Sequence, residues 1–214
     1  MLRWVRCGRW VAFGFVAVIA LSNLAIFAVS RVMALTTESV RPDAEVVGVT
    51  HLRLVDDKVW RGAAPSRAGY RTLAKSGVTT IVDLRAEEDI STDQAYGRRM
   101  GLKVVSMPIR DGQLPSAGQV DTFVRLVEES DGNVFVHCGA GVGRTGVMSA
   151  AYLVETGQAG RREVLRRNLS VGPPSLEQIW FAATLDGDTD GPPAPVVAVS
   201  RVLDAPRRIL SIVL

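Results

Sequence analysis

Two cysteines, Cys7 and Cys138, are too few for a disulfide framework. The two histidines, His51 and His137, stand far apart, and no spacing typical of a zinc site joins them. The chemistry is therefore expected to need neither metal nor cofactor. Blocks of like charge are absent as well: 25 basic residues against 22 acidic ones leave a formal charge of +3, and the basic residues, nearly all arginine, are scattered. Nucleic-acid binding calls for a concentrated basic face, so that partner class is excluded. No internal repeat is visible. With 47% hydrophobic and 22% charged residues over 214 positions, the composition suits one globular domain with appendages rather than a disordered chain.

The longest uncharged run covers residues 10–30, where Ser22, Asn23 and Ser30 are the only polar side chains. A helix of about 20 apolar residues crosses a bilayer core, so the run predicts one transmembrane helix. Arg3, Arg6 and Arg9 precede it, and Arg31, Glu38 and Arg41 follow. The cationic excess on the N-terminal side predicts a cytoplasmic N-terminus, a single pass through the cell membrane and an extracytoplasmic domain. Cys7 and Cys138 would then lie on opposite sides. The alternative is a cleaved signal peptide, with Val32, Met33 and Ala34 offering small residues to a peptidase. The run exceeds the usual signal core of roughly 7–15 residues, which favours an uncleaved anchor.

Beyond a cationic segment (1–9), the membrane run (10–30) and a polar linker (31–45), residues 46–186 read as one domain of alternating strands and helices. Residues 46–63 suggest one or two short strands. Residues 66–76 have helical spacing and stop at Gly77. The β-branched run 78–84 predicts a buried strand, 87–101 a helix, and 102–109 another strand. Val120, Phe123, Val124 and Val127 mark a helix over 116–130 with one buried face. A strand at 133–137 and helices at 147–156, 162–169 and 175–185 complete the pattern. Such alternation implies an α/β fold, a central mostly parallel sheet with helices on both faces. Residues 187–214 read as a linker and an apolar, arginine-bearing tail, placed equally well on the domain or in the membrane interface.

The segment 134–146, VFVHCGAGVGRTG, runs strand, loop, helix. A glycine-rich loop after a strand can turn successive backbone N–H groups inward as an anion nest. Gly139, Gly141 and Gly143 remove the Cβ atoms that would obstruct the curl, and a helix starting near Arg144 adds its positive end. Such a nest, formed by residues 139–144 with Ala140 and Val142 contributing backbone, binds a phosphoryl group and favours the thiolate of Cys138. Arg144 is suited to grip two phosphoryl oxygens as a planar fork, and the Thr145 hydroxyl can serve the sulfur. Gly141-Val-Gly143-Arg-Thr-Gly146 also matches a dinucleotide fingerprint, but the following region is basic and helical where that fold needs a strand ending in an acidic residue. A Walker A loop fails because Val147, not lysine, follows Gly146. A buried structural cysteine is the commonest fate of a lone thiol, but that fate does not explain the surrounding pattern.

HCGAGVGRTG resembles the phosphate loop of the protein tyrosine phosphatase superfamily at every defined position. VWRGAAPS (59–66) and GVTTIVDLRAEE (77–88) look like its compact dual-specificity and bacterial members, and the resemblance extends loosely over 46–186. It implies a phosphoric monoester hydrolase acting on a phosphorylated protein or another phosphomonoester, through a cysteinyl-phosphate on Cys138. The family's general acid is an aspartate on the loop after the strand preceding the catalytic strand. Asp111, 27 residues before Cys138, occupies that place. Asp83, inside a strand, is expected to hold a neighbouring loop, and Asp89 and Asp93 to be solvated on a helix. His137 is expected to order the loop rather than act as a base. Tyrosine-specific members position water with two glutamines; Gln178 resembles the second, whereas Pro174 stands where the first would be. Three rivals remain: a non-catalytic phosphate-binding module, a phosphoinositide or small-molecule phosphatase, and, more distantly, an arsenate reductase, which would need further cysteines. Nothing in the sequence fixes the oligomeric state.

Overall fold

The computed structural model describes residues 2–38, 40–42, 46–86, 91–185 and 191–213, with side chains described between 13 and 206. Asp89 and the side chain of Cys7 lie outside the described residues. The chain opens with α1 (Leu2–Thr36), followed by β1 (Arg53–Leu54), β2 (Val59–Ala63), α2 (Arg67–Lys75), β3 (Val78–Asp83), α3 (Ser91–Arg99) and β4 (Lys103–Ser106). It continues through α4 (Ala117–Glu129), β5 (Asn133–Cys138), α5 (Gly143–Glu155), α6 (Arg161–Val171), α7 (Leu176–Thr184) and α8 (Ala194–Val213).

The five strands form one sheet in the order β1-β2-β5-β3-β4. β5 lies at its centre, parallel to β2 and β3, and β4 continues the parallel set; only β1 runs antiparallel. Both faces are covered, as a parallel sheet requires. Ile81 and Phe135 point to one side, into a cluster with Tyr70, Leu73 and Leu102 from the α2–α3 layer. Val82, Val134 and Val136 point to the other, against Phe123, Val147 and Met148 from the α4–α5 layer. Ile81 and Phe135 are fully buried, and truncating Phe135 to Ala would cost about 3–5 kcal/mol.

Local chemistry sets the helix ends. Ser66 starts α2 by accepting the Gly69 N–H at 3.2 Å, and Ser116 and Ser175 form capping boxes with Gln119 and Gln178. α5 begins at Gly143, four residues before the apolar run that marks it in sequence, because Arg144, Thr145 and Gly146 are already helical and buried.

α1 extends past Ser30 to Thr36, so the residues read as the start of a linker continue the helix; no proline or glycine interrupts it there. Phe13–Thr36 is long and apolar enough to cross a membrane, and Phe13, Leu21, Leu24 and Leu35 are exposed. One side of α1 instead meets the domain. Ser30, buried, donates to the Leu169 carbonyl of α6 at 2.6 Å, and Asn23 donates to the Leu203 carbonyl of α8 at 3.2 Å. The C-terminal tail packs on the domain: buried Ser200 of α8 accepts the Glu177 N–H at the start of α7 (3.1 Å).

Candidate active site

Parallel strands carry their ligand sites at their carboxyl ends, and there β5 delivers Cys138, paired opposite Ala63 of β2. Four residues, 139–142, separate the strand from α5. Of the three loop glycines only Gly141 has a positive φ, +72°, and a Cβ there would strike the backbone of Gly62 and Ala63. Gly143 answers a different need: its missing Cβ leaves room for the Gln178 side chain. Val142 precedes α5 without a side-chain cap, so the amides of the first turn face outward from a positive helix end.

Cys138 is 3% exposed, and the Gly141 N–H donates to its Sγ at 3.3 Å. Thr145 is fully buried, and its hydroxyl has no hydrogen-bond partner among the described residues. Arg144, also buried, donates through Nη1 to the Ile109 carbonyl at 3.1 Å, and its Nη2 lies 3.4 Å from Asp111 Oδ1. The guanidinium thus joins the phosphate loop to the loop after β4. Asp111 itself stays open to solvent, its side chain 64% exposed. Its loop is fastened from behind: Ser175 Oγ donates to the Gly112 carbonyl and Gln178 Nε2 to the Gln113 carbonyl, both at 3.2 Å. Gln178 Oε1 accepts the Ser175 N–H at 3.1 Å, so both ends of the Gln178 amide are engaged.

His137 is fully buried and stacked on Phe135. Its Nδ1 donates to the Cys138 carbonyl at 3.2 Å, while Nε2 lies 3.9 Å from Asp83 Oδ2, beyond hydrogen-bond range. Burial pushes its pKa down to about 4, against the pull of the Asp83 carboxylate, so the ring is neutral at pH 7. Asp83 is bonded to Arg85 at 2.8 Å. Burial opposes its ionisation, but the Arg85 hydrogen bonds and His137 outweigh that and hold its pKa below the ordinary value. Asp83 is thus bound into the sheet end next to the loop. Asp93 is not idle surface: half-exposed, it pairs with the buried Arg85 at 3.1 Å.

Two residues that touch the loop escape a reading of the sequence. Arg61, on β2 and 5% exposed, donates through Nη2 to the carbonyls of Gly141 (2.9 Å) and Val142 (3.2 Å). Burial lowers its pKa to about 10, with Cys138 raising it and Arg53 lowering it, so it stays cationic at neutral pH. An arginine inside an apolar strand was the available signal, since a buried charge demands partners. His51, whose φ is +54°, donates from Nδ1 to the Ala140 carbonyl at 2.8 Å; nothing local marks it.

Among the described residues no cluster of His, Cys, Asp or Glu could hold a metal ion. What remains is a buried thiol, an uncapped helix end and a guanidinium facing a solvent-exposed carboxylate. Such a set can hold a tetrahedral oxyanion against sulfur and offer a proton from the opposite side.

Known proteins share this organisation. The chain is 34% identical over 118 residues to the probable chloroplastic NAD kinase 2 of rice, an alignment covering 52% of this chain and 12% of the rice protein. It is 38% identical over 90 residues to mouse protein tyrosine phosphatase type IVA 2, covering 40% of this chain and 52% of that protein. The chain thus spans only part of the curated relatives it matches. The crystal structure of Tk-PTP in its active form shares the fold, with a TM-score of 0.55 at 24% identity over 61% of this chain and 92% of that one. Residues 38–183 match the family described as "DSP-PTPase phosphatase fused to NAD+ Kinase", and the chain belongs to that family of protein tyrosine phosphatase-like proteins.

Proposed function

We propose that the protein is a membrane-anchored, cysteine-dependent phosphatase that hydrolyses phosphate monoesters, most readily phosphotyrosine or phosphoserine/threonine in proteins. The observation that carries this is Arg144, bonded to the backbone at Ile109 and 3.4 Å from Asp111, at the start of the helix that follows Cys138. One side chain thus links the nucleophile's loop to the acid's.

In the first step the Cys138 thiolate attacks phosphorus, the S–P bond forms and the P–O bond to the leaving group breaks. Protonated Asp111 gives its proton to the departing oxygen. In the second step water attacks phosphorus, Asp111 takes its proton, and the S–P electron pair returns to sulfur, with the Thr145 hydroxyl serving the departing thiolate. The amides of 139–144 and the Arg144 fork hold the equatorial oxygens through both steps. His137 and Arg61 position the loop. Gln178 is tied to Ser175 and Gln113, so placing the hydrolytic water falls to Asp111 in this scheme.

The test is hydrolysis of p-nitrophenyl phosphate with trapping of the intermediate. Wild type turns over and Cys138→Ser is inert; a folded wild type with no turnover would leave a phosphate-binding module instead. A panel of phosphopeptides and phosphoinositides then assigns substrate class, since fold alone does not. We assign α1 the anchor role, with Arg3, Arg6 and Arg9 cytoplasmic and residues 38–183 outside. Protease added to intact cells should cleave the domain if this is right and spare it if the orientation is reversed.

A further inference from the structure

Behind the phosphate loop, away from Cys138, a cleft of about 360 Å³ opens between the end of α1, the β1–β2 ribbon and the α5–α6 pair. Its walls hold polar atoms that the fold leaves unanswered. Asn168 of α6 is 1% exposed, and among the described residues neither its Oδ1 nor its Nδ2 has a hydrogen-bond partner; the same holds for Arg61 Nε and for the buried hydroxyl of Thr37. A buried amide with both ends unpaired is costly unless something fills the space beside it.

The charges in the cleft say what that something is. Its buried and half-buried carboxylates are already used. Asp56 accepts from Tyr152, Gln158 and two backbone amides, and Glu163 pairs with Arg166 and Arg167 at 2.7 and 2.8 Å. Glu38 and Asp57 are exposed at the rim, in water. Arg53 and Arg61 line the same cleft with no carboxylate partner among the described residues; burial lowers the proton affinity of both, Arg41 adds to this at Arg53, and at Arg61 the pull of Cys138 works against burial and Arg53. Among the described residues the unmet atoms are the Arg61 Nε, both ends of the Asn168 amide and the Thr37 hydroxyl, beside the Arg53 guanidinium, whose Nη1 donates to the Leu52 carbonyl at 2.7 Å, so donors outnumber acceptors. A tetrahedral oxyanion, with more acceptor oxygens than a carboxylate, answers them better.

We propose that this cleft is a second, non-catalytic anion site that takes a phosphate group, seated between Arg53, Arg61 and Asn168. Thr37 and Glu38 directly follow α1, which puts the mouth of the cleft beside the end of the proposed membrane anchor. The phosphate could then come free from solution or on a membrane lipid, and the lipid source rests on the anchor role assigned above. Arg61 also grips the carbonyls of Gly141 and Val142, which puts the bound anion one side chain from the phosphate loop.

The experiment uses the full chain in non-ionic detergent, with Cys138 first occupied by one equivalent of orthovanadate; vanadate uptake reports on the catalytic site separately. Inorganic phosphate and, in a second arm, soluble dihexanoyl phosphatidylglycerol are titrated by calorimetry. One further site is expected for at least one probe, weakened tenfold or more in Arg53→Gln and in Asn168→Ala. Tighter phosphate binding assigns the free anion, and tighter lipid binding the headgroup. Arg53 is only half-buried, so its variant is expected to fold even if Asn168→Ala does not, and thermal unfolding checks both. Absence of a further site for both probes, or equal binding in Arg53→Gln, overturns the proposal.

Discussion

Cys138 is 3% exposed, under a loop bonded by Arg61, His51 and His137, whereas Asp111 faces it with a side chain 64% exposed. That loop is fastened by Arg61 from β2, by His137 from β5 itself and by His51 from the segment before β1. The acid loop is held at its carbonyls by Arg144, Ser175 and Gln178, and at the Asp111 carboxylate by Arg144. Under the proposed mechanism the difference follows from two tasks. Holding a charged oxyanion requires dipoles that do not reorganise, because each must already point at the charge. Delivering a proton requires a carboxyl group within reach of the leaving oxygen; the Asp111 side chain is open to solvent, whereas Asp83 is buried and bound to Arg85.

The strongest way to break this contrast is to remove the residue common to both loops. Arg144→Ala loses two donors to the phosphoryl oxygens, each worth about 10²–10³ in rate, so kcat/KM for p-nitrophenyl phosphate should fall about 10⁴-fold. Arg144→Lys should recover little, because an ammonium cannot replace the bidentate fork. A near-complete rescue by lysine would show that charge alone matters and that the fork geometry is irrelevant.

Next comes the exposed side. Asp111→Asn should lower kcat by about 10³ for phenyl phosphate, within the usual 10²–10⁴ contribution of a general acid. The loss should shrink for p-nitrophenyl phosphate, whose leaving group departs without help. A loss independent of leaving-group basicity would make Asp111 a mere binding residue.

The buried side carries its own pH signature. The folded-state pKa of His137, about 4, lies below its ordinary 6.5, so the unfolded chain binds the extra proton across that interval. Stability from this group is fully present above pH 6.5 and is lost as pH falls through it toward 4. A shift of this size corresponds to roughly 3 kcal/mol. Asp83, also held below its ordinary pKa, acts in the same sense at the acid end. Denaturant melts from pH 7 to pH 4 should show the decline, and His137→Gln should flatten it; an unchanged slope would mean that His137 is not the group responsible.

How much of this could be read beforehand depends on where the contacts come from. The strand–loop–helix turn around Cys138 was legible because its parts are consecutive: a strand, glycines, an arginine and a helix start within residues 134–146. The parallel sheet was legible too, since buried strands announce themselves as short β-branched runs such as 78–84. Arg61 and His51 were not, because they meet the loop only after β2 pairs with β5 across more than 70 residues. Asp93 looked solvated for the same reason: its partner Arg85 lies on another element. The tail was ambiguous because an apolar run with arginines suits a domain surface as well as a membrane, and only the buried Ser200 contact with α7 decides for the domain.

The smallest change tests whether the acid loop needs its fastening at all. Ser175 does two jobs: its hydroxyl accepts the Gln178 N–H as the α7 cap and donates to the Gly112 carbonyl next to Asp111. Ser175→Ala should cost about 1 kcal/mol of stability for the lost cap. If Gly112 must be held for Asp111 to face the substrate, kcat should fall several-fold while KM for p-nitrophenyl phosphate stays constant, because the phosphate loop that binds it is untouched. Ser175→Asp separates the two jobs: a carboxylate caps a helix as well as a hydroxyl does, yet it cannot donate to a carbonyl. Restored stability with kcat still low would place the effect in the acid loop. Recovery of both would reduce Ser175 to a helix cap and leave its bond to Gly112 without a part in holding the acid loop.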